Sequence, residues 1–305
     1  MRVALSLILL AACHGSSGNT PGDDDDDGSA APDAPAASTD APILPTPTGT
    51  CPAIAPGDVT FAPAGIPPRK VKLAFDPAKA GPAKAGPAGT GELIFYWYAT
   101  GSGTFESGYS LGATLTAITD AGGIVATPYA DPSAGQFEWF MVNGSAKLDD
   151  FLVADEVVGC LAQAHLIDAK RIHSMGMSAG ALQTTALSFV RSAYIASVAT
   201  YSGGIPPGFS PTTQDPANKF AALIFDGGAT DDVFSVDFKA ASETYETMLK
   251  AAGHFAALCD HGMGHAIPLD AAPSVAAFFT ANPYGAWPSP YAGGLPSTFP
   301  SYCSL

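Results

Sequence analysis

Charged side chains are scarce in this sequence. They make up 13% of its 305 residues, with only 13 lysines and arginines against 28 aspartates and glutamates. The formal net charge is −15, and no basic cluster interrupts the acidic background. A nucleic-acid partner requires a basic surface, so the composition argues against nucleic acid. Hydrophobic residues account for 47% of the chain, which is enough to bury a sizeable core.

A metal-binding pattern is also lacking. His261 and His265 lie four residues apart, but no third ligand has a sensible spacing, and this segment is not helical in pattern. We therefore expect no metal, and nothing in the sequence implies an organic cofactor.

The apolar run at the N-terminus is short. Residues 3–10 follow Arg2 and are too few for a stable membrane span, which is typical of an export signal. The run ends in Leu10-Ala11-Ala12-Cys13, which resembles the lipobox of bacterial lipoproteins. We predict a signal peptide over residues 1–12 and lipidation of Cys13, the alternative being an ordinary signal peptide cut nearby. The resemblance implies export and a lipid anchor in the bacterial cell envelope, at the outer membrane or cell surface.

Residues 13–50 have the composition of a solvated segment. Five consecutive aspartates at 23–27 are followed by alanine, proline, serine and threonine. Such a segment stays extended, so we predict a disordered tether that holds a domain away from a membrane. No second domain is visible beyond it. Residues 51–305 are expected to form one domain that acts as a monomer.

The stretch at residues 171–180 organises the rest of the chain. An apolar run leads into Gly176-Met177-Ser178-Ala179-Gly180, and a small-residue helical pattern follows. Strand, sharp turn and helix in this order are what a nucleophile elbow requires. Ser178 would then lie at a helix N-terminus, where negative charge is stabilised. The alternative is a Gly/Ser turn without chemistry.

Strand-like and helical segments alternate around this motif. The continuous apolar run at 93–98 is typical of a strand covered on both faces by helices. Further strands are predicted at 59–62, 69–75, 123–127, 171–175, 195–201, 220–225 and 254–259, and helices at 113–119, 148–165, 179–190, 238–252 and 275–280. The alternation predicts an α/β fold with a mostly parallel, doubly wound sheet and helices on both faces.

A serine nucleophile needs an acid and a histidine, which follow it in that order in this arrangement. The acid is expected in the loop after the strand ending at Phe225, where Asp231 is our choice, ahead of Asp232 and Asp226. Each spare aspartate has the alternative of a loop carboxylate or helix cap.

The base is expected after the last strand. His265 is favoured over His261 because it lies further past the strand and beyond two glycines, which give the loop the freedom to reach Ser178. The alternative for a lone loop histidine is a surface or hydrogen-bonded residue.

Backbone amides should stabilise the charge that develops on a substrate carbonyl. The amide of Ala179 is one candidate, and the second is expected from Thr100 or Ala99 in the loop after Tyr98. Aromatic side chains nearby are candidates for substrate binding, although large aromatics mostly lie in the core. These candidates are Trp97, Tyr98, Trp139 and Tyr201.

Four cysteines remain besides Cys13, and an even number in an exported chain implies two disulfides. Cys51, Cys160, Cys259 and Cys303 allow three pairings. We favour Cys51 with Cys303, which leaves Cys160 with Cys259. A bond at Cys259 would steady the loop that carries His265.

Taken together, the chain resembles the poly(3-hydroxybutyrate) depolymerase and feruloyl esterase group of the α/β-hydrolases over most of residues 51–305. The matching segments are 95–98, 171–180, 202–204, 226–233 and 261–268. In that group the strand before the oxyanion loop usually ends Trp-His-Gly and the acid loop opens His-Gly, whereas this chain has Tyr98-Ala99 after Trp97, and Asp226-Gly227. The resemblance implies an α/β-hydrolase fold and a serine esterase acting on polyhydroxyalkanoate-type esters or on feruloyl or acetyl esters of polysaccharides.

Three other functions fit the same sequence. A serine peptidase would use the same triad, and an acyltransferase would pass the acyl group to an alcohol rather than to water. The third is a non-catalytic surface binding protein on a hydrolase fold, which the departures at Tyr98 and Ala99 leave open.

Overall fold

The computed structural model describes residues 41–84 and 90–305. The predicted signal peptide at 1–12, the lipidation site Cys13 and residues 14–40 of the predicted tether lie outside the described residues. Residues 41–84 and 90–305 belong to one compact unit. Within those ranges, no helix combines the length and the hydropathy needed to cross a membrane.

Among residues 41–84 and 90–305, nine strands form one sheet that carries the fold, and two further strands form a separate hairpin. The strands are β1 (Gly57–Phe61), β2 (Arg69–Ala74), β3 (Leu93–Trp97), β4 (Ile124–Pro128), β5 (Ile172–Met177), β6 (Ser197–Tyr201), β7 (Ala221–Asp226), β8 (Asp232–Val233), β9 (Val236–Asp237), β10 (Phe255–Asp260) and β11 (Cys303–Ser304). The order across the sheet is β1-β2-β4-β3-β5-β6-β7-β10-β11. The six central strands, in the order β4-β3-β5-β6-β7-β10, run parallel to one another. Strands β1 and β2 at one edge and β11 at the other are paired antiparallel. The prediction of a mostly parallel α/β sheet is confirmed.

Helices cover both faces of this sheet, as predicted. They are α1 (Glu106–Leu111), α2 (Ala113–Asp120), α3 (Asp149–Gln163), α4 (Ala179–Val190), α5 (Phe238–Ala251) and α6 (Ala272–Ala281). Two neighbouring residues of β5 show the layering, because successive side chains of a strand point to opposite faces. The ring of His173 stacks on Phe279 of α6 at 4.8 Å, whereas the hydroxyl of Ser174 lies 3.1 Å from that of Thr184 on α4.

The folded chain begins before Cys51. Thr48 donates to Glu156 of α3 from its amide at 2.7 Å and from its hydroxyl at 3.0 Å, and the amide of Gly49 donates to the other carboxylate oxygen at 2.9 Å. Pro47 packs so closely on α3 that a Cβ at Gly159 would lie 2.7 Å from its ring. The predicted tether is therefore too long at its C-terminal end. Low-complexity composition gave no sign that these amides satisfy a buried carboxylate.

The favoured disulfide pairing was wrong. Cys51 bonds Cys160 of α3, and Cys259 bonds Cys303. The first pair forms because the segment after Gly49 runs along α3. The second forms because β11 pairs with β10 in a register that places Cys259 directly opposite Cys303.

Candidate active site

The turn at Ser178 has the geometry that the motif predicts. Ser178 follows β5 and precedes α4, with φ of 56° and ψ of −120°, a strained conformation for a residue with a Cβ. A Cβ on Gly176 would lie 2.5 Å from the carbonyl oxygens of both Gly180 and Trp97, and a Cβ on Gly180 would lie 1.9 Å from that of Trp97. Both glycines are therefore required because the end of β3 passes directly against the turn.

Three residues that are distant in the sequence meet at this turn. The Nε2 of His265 lies 2.8 Å from the Ser178 hydroxyl oxygen, and its Nδ1 lies 2.7 Å from Oδ1 of Asp231. The other carboxylate oxygen of Asp231 accepts hydrogen bonds of 2.8 Å from the hydroxyl of Ser202 and from the amide of Gly227. The structure thus brings together the serine, histidine and aspartate that were chosen from the sequence.

The carboxylate of Asp231 is buried but well supplied with donors. Burial alone would raise its pKa, but the hydrogen bonds from His265, Gly227 and Ser202 outweigh it and lower the pKa. An ionised carboxylate only accepts hydrogen bonds, so the proton of the imidazole lies on Nδ1. Nε2 then faces Ser178 as the acceptor of its hydroxyl proton. The ring of Phe238 covers the imidazole at 4.7 Å.

The residues considered as alternatives lie outside this hydrogen-bond chain. Asp226 accepts from the amide of Gly228 at 2.9 Å, and burial, reinforced by the charge of Asp260, raises its pKa to about 6. Asp232 is exposed in the β8–β9 hairpin. His261 accepts from the amide of Met263 at 3.2 Å, and burial lowers its pKa. Within the described ranges, no three His, Cys, Asp or Glu side chains are placed to hold a metal ion.

Two glutamates fix the backbone of residues 99–101, which we call the oxyanion loop. The amide of Ala99 donates to both oxygens of Glu106, at 3.1 and 3.3 Å, and the amide of Gly101 donates to Glu138 at 2.9 Å. Ala99 is therefore not an available donor for a substrate, which corrects one of the predicted alternatives. Thr100 lies between the two bound amides and lines the same cavity as Ser178.

Sequence reasoning missed these glutamates. Glu106 begins α1 and is buried, with an additional hydrogen bond of 3.1 Å from the hydroxyl of Tyr96. Burial raises its pKa above the ordinary value, against the opposing effect of its donors. Glu138 adopts φ of 59°, a rare backbone conformation that points its side chain back to the loop. Neither feature could be read from a glutamate in a short helix or in a loop.

The cavity beside Ser178 has a volume of about 270 Å³ and apolar walls. Its walls are formed by Thr100, Phe137, Met141, Val142, Gly144, Ser178, Ala179, Leu182, Pro206, Pro207, Gly208, Phe209, Val233, Phe234, Val236 and Phe238. No acidic or basic side chain is among these wall residues in the part of the chain that the structure describes. Because the cavity reaches both Ala179 and Thr100, the amides at these two positions are the candidate donors for a substrate oxygen.

The four aromatic residues predicted to bind substrate do not line this cavity. Trp97, Trp139 and Tyr201 are fully buried, and Tyr98 is nearly so. The rings of Trp97 and Trp139 pack edge to face at 4.9 Å, and the indole of Trp139 donates to the carbonyl of Tyr98 at 3.1 Å. Trp97, Tyr98 and Trp139 pack together beneath the oxyanion loop, whereas the ring of Tyr201 packs on Phe225 of β7 at 5.0 Å.

Comparison with known proteins gives relatives by structure alone. No protein-family model matches the sequence, and no curated protein matches it. The crystal structure of native pOPH is similar with a TM-score of 0.62 and 14% identity, covering 84% of this chain and 96% of that one. A thermostable esterase has a TM-score of 0.54 and 14% identity, covering 74% of this chain and 62% of that one. The acylaminoacyl peptidase of Pyrococcus horikoshii has a TM-score of 0.52 and 13% identity, covering 75% of this chain and 41% of that one. Together with the sheet order and the turn at Ser178, these likenesses show that the chain has the α/β-hydrolase fold.

Proposed function

We propose that this protein is a serine esterase that hydrolyses carboxylic esters through an acyl-enzyme. The observation that carries the proposal is the continuous hydrogen-bond chain from Ser178 through His265 to Asp231. Ser178 Oγ attacks the ester carbonyl while Nε2 of His265 takes its proton and then passes it to the leaving alcohol. Asp231 orients the imidazole and stabilises its charged form. Water, activated by His265, then releases the acid.

Negative charge on the tetrahedral intermediate needs donors that are fixed in advance. The amides of Ala179 and Thr100 serve this purpose in the proposed mechanism. The first lies at the N-terminus of α4, where the helix dipole favours an anion. The second is held in place because the amides on either side of it are bound by Glu106 and Glu138.

The proposed substrates are polyhydroxyalkanoate-type esters and feruloyl or acetyl esters of polysaccharides. We place the enzyme outside the cell as a monomer anchored through a lipid on Cys13, with the segment after it as a tether. Among the structural neighbours, a thermostable esterase and a serine-to-alanine variant of pOPH in complex with pNPB support ester chemistry. The acylaminoacyl peptidase makes a peptidase the second candidate.

The test is a panel of p-nitrophenyl and methyl esters given to the wild type and to Ser178→Ala. Loss of the nucleophile should reduce kcat at least roughly 10³-fold, and a fluorophosphonate should label the wild type only. Ser301→Ala is the matched control, because Ser301 is exposed and lies outside the site. Equal ester hydrolysis by the wild type and Ser178→Ala would refute the assignment.

The alternatives give different outcomes when peptides and a sugar alcohol are added to the same panel. Cleavage of peptides with no ester hydrolysis would identify a peptidase. Transfer of the acyl group to an added sugar alcohol in preference to water would identify an acyltransferase. Absence of both turnover and labelling would favour a non-catalytic binding protein.

A further inference from the structure

The cavity beside Ser178 is suited to an apolar group rather than to a sugar. We propose that it binds the acyl part of the ester, that the preferred acyl group is an aliphatic chain of about four carbons or more or an aromatic ring, and that Phe234 closes the cavity over it. This inference rests on the esterase function proposed above and names the substrate class of the same site, disfavouring the acetyl esters among the substrates proposed there.

The apolar side chains of the cavity walls indicate that the site binds an apolar acyl group. Of the sixteen described residues that line the cavity, only Thr100 and Ser178 have polar side chains. A sugar or a charged acyl group would lose its hydration there without gaining partners, which disfavours its binding. The volume of about 270 Å³ exceeds the roughly 150 Å³ of an apolar cavity that holds benzene, so a substituted ring or a medium-length chain fits.

The turn of the β8–β9 hairpin places Phe234 at the cavity in a strained backbone conformation. Its two turn residues, Phe234 and Ser235, both have positive φ, at 53° and 61°. Such turns favour Asn and Gly, so a phenylalanine at this position is strained. Phe234 is 60% exposed, but its ring meets the ring of Phe137, which also lines the cavity, edge to face at 5.5 Å. A strained aromatic residue that lines the cavity indicates a role in binding.

The hairpin is also joined to the triad. It begins directly after Asp231 and ends directly before Phe238, and the amide of Phe238 donates to the carbonyl of Asp231 at 2.9 Å. Phe238 lines the cavity and covers the imidazole of His265. One short segment therefore provides a wall of the cavity and the carboxylate of the triad. Because Ser178 lines the same cavity, an acyl group held against this wall would present its carbonyl to Ser178.

The chain length of the acyl group gives the test. We expect kcat/KM to rise roughly fourfold for each methylene from p-nitrophenyl acetate to the hexanoate, as burial of each methylene allows. In Phe234→Ala the ratio of kcat/KM for the hexanoate to kcat/KM for the acetate should fall about tenfold, because only the longer chain reaches the hairpin. Phe234→Leu should recover part of the preference for the hexanoate over the acetate. Tyr109→Ala is the control, since Tyr109 is an exposed aromatic residue of α1 that is not part of the cavity.

Binding separates this inference from the proposed function. Equilibrium dialysis of Ser178→Ala should show the hexanoate bound at least about tenfold more tightly than the acetate. Chain-length-dependent binding to a protein whose wild type turns over no ester would overturn the esterase function and leave the acyl pocket intact. Ester hydrolysis that depends on Ser178 but is indifferent to chain length and to Phe234→Ala would overturn the acyl pocket and leave the esterase function intact.

Discussion

One methyl group on Gly227 should disturb the proposed catalysis by displacing the loop that carries His265, without changing any side chain of the triad. A Cβ there would lie 1.9 Å from the carbonyl oxygen of Gly264, the residue immediately before His265. Since ordinary contacts begin at about 3.4 Å, the histidine loop must retreat by roughly 1.5 Å. The backbone of Gly227, with φ of −95°, suits alanine, so this contact alone provides the perturbation. A misplacement of about 1 Å costs about 10²-fold in rate, so we expect kcat of Gly227→Ala to fall roughly 100-fold.

The assay is steady-state hydrolysis of a p-nitrophenyl ester, with the rate of fluorophosphonate labelling as a direct reading of Ser178 and thermal unfolding as the check on folding. Gly262→Ala is the matched control in the same loop. Gly262 has φ of 69°, but a Cβ there would have no neighbour within 4 Å. It should cost about 1 kcal/mol of stability and little kcat. A folded Gly227→Ala enzyme with kcat within about threefold of the wild type would refute the reasoning.

The carboxyl groups of Glu106 and Asp226 give two further predictions. Glu106→Gln replaces one oxygen beside the Ala99 amide with a donor, and loss of a hydrogen bond to a charged acceptor is worth about 1.5–3 kcal/mol. We expect kcat to fall roughly tenfold with KM within about twofold, and a raised KM at unchanged kcat would contradict a role in holding the oxyanion loop. Burial raises the pKa of Asp226 to about 6, from about 3.9 in the unfolded chain, so the native state binds this proton more tightly than the unfolded state. The free energy of unfolding should therefore fall by up to about 3 kcal/mol as the pH rises from 4 to 6. In urea unfolding, the free energy of unfolding of Asp226→Asn relative to that of the wild type should therefore increase between pH 4.5 and pH 7.5. A decrease of this difference as the pH rises would contradict the account.

The three central residues of the candidate site could be chosen from the sequence because each has a local signature. Ser178 lies between glycines at the end of an apolar strand, and Asp231 and His265 follow the next suitable strand ends. Parallel strands place their carboxyl ends at one edge of the sheet, so loops that are far apart in sequence meet there. The same regularity made the sheet and its helices predictable.

The residues that were not predicted depend on contacts that leave no local pattern. Trp97 and Tyr98 looked available for substrate because they precede the oxyanion loop, but β3 is buried on both faces. Phe137 and Phe234 reach the cavity from irregular loops and a two-residue turn. The capture of the Ala99 amide by Glu106 depends on how the first turn of α1 packs. The disulfide partner of Cys259 was fixed by strand register, which the spacing of cysteines does not reveal.

The pairing of β11 with β10 protects an edge of the sheet against association with a second copy of the chain. An uncovered outer strand offers unpaired amides and carbonyls on which another chain can add. Residues 258 and 259 of β10 are paired with Ser304 and Cys303, and the amide of Asp260 donates to the carbonyl of Tyr302 at 3.1 Å. The Cys259–Cys303 bond holds this cover in place. Reduction of that one bond should therefore promote edge-to-edge self-association before it unfolds the domain.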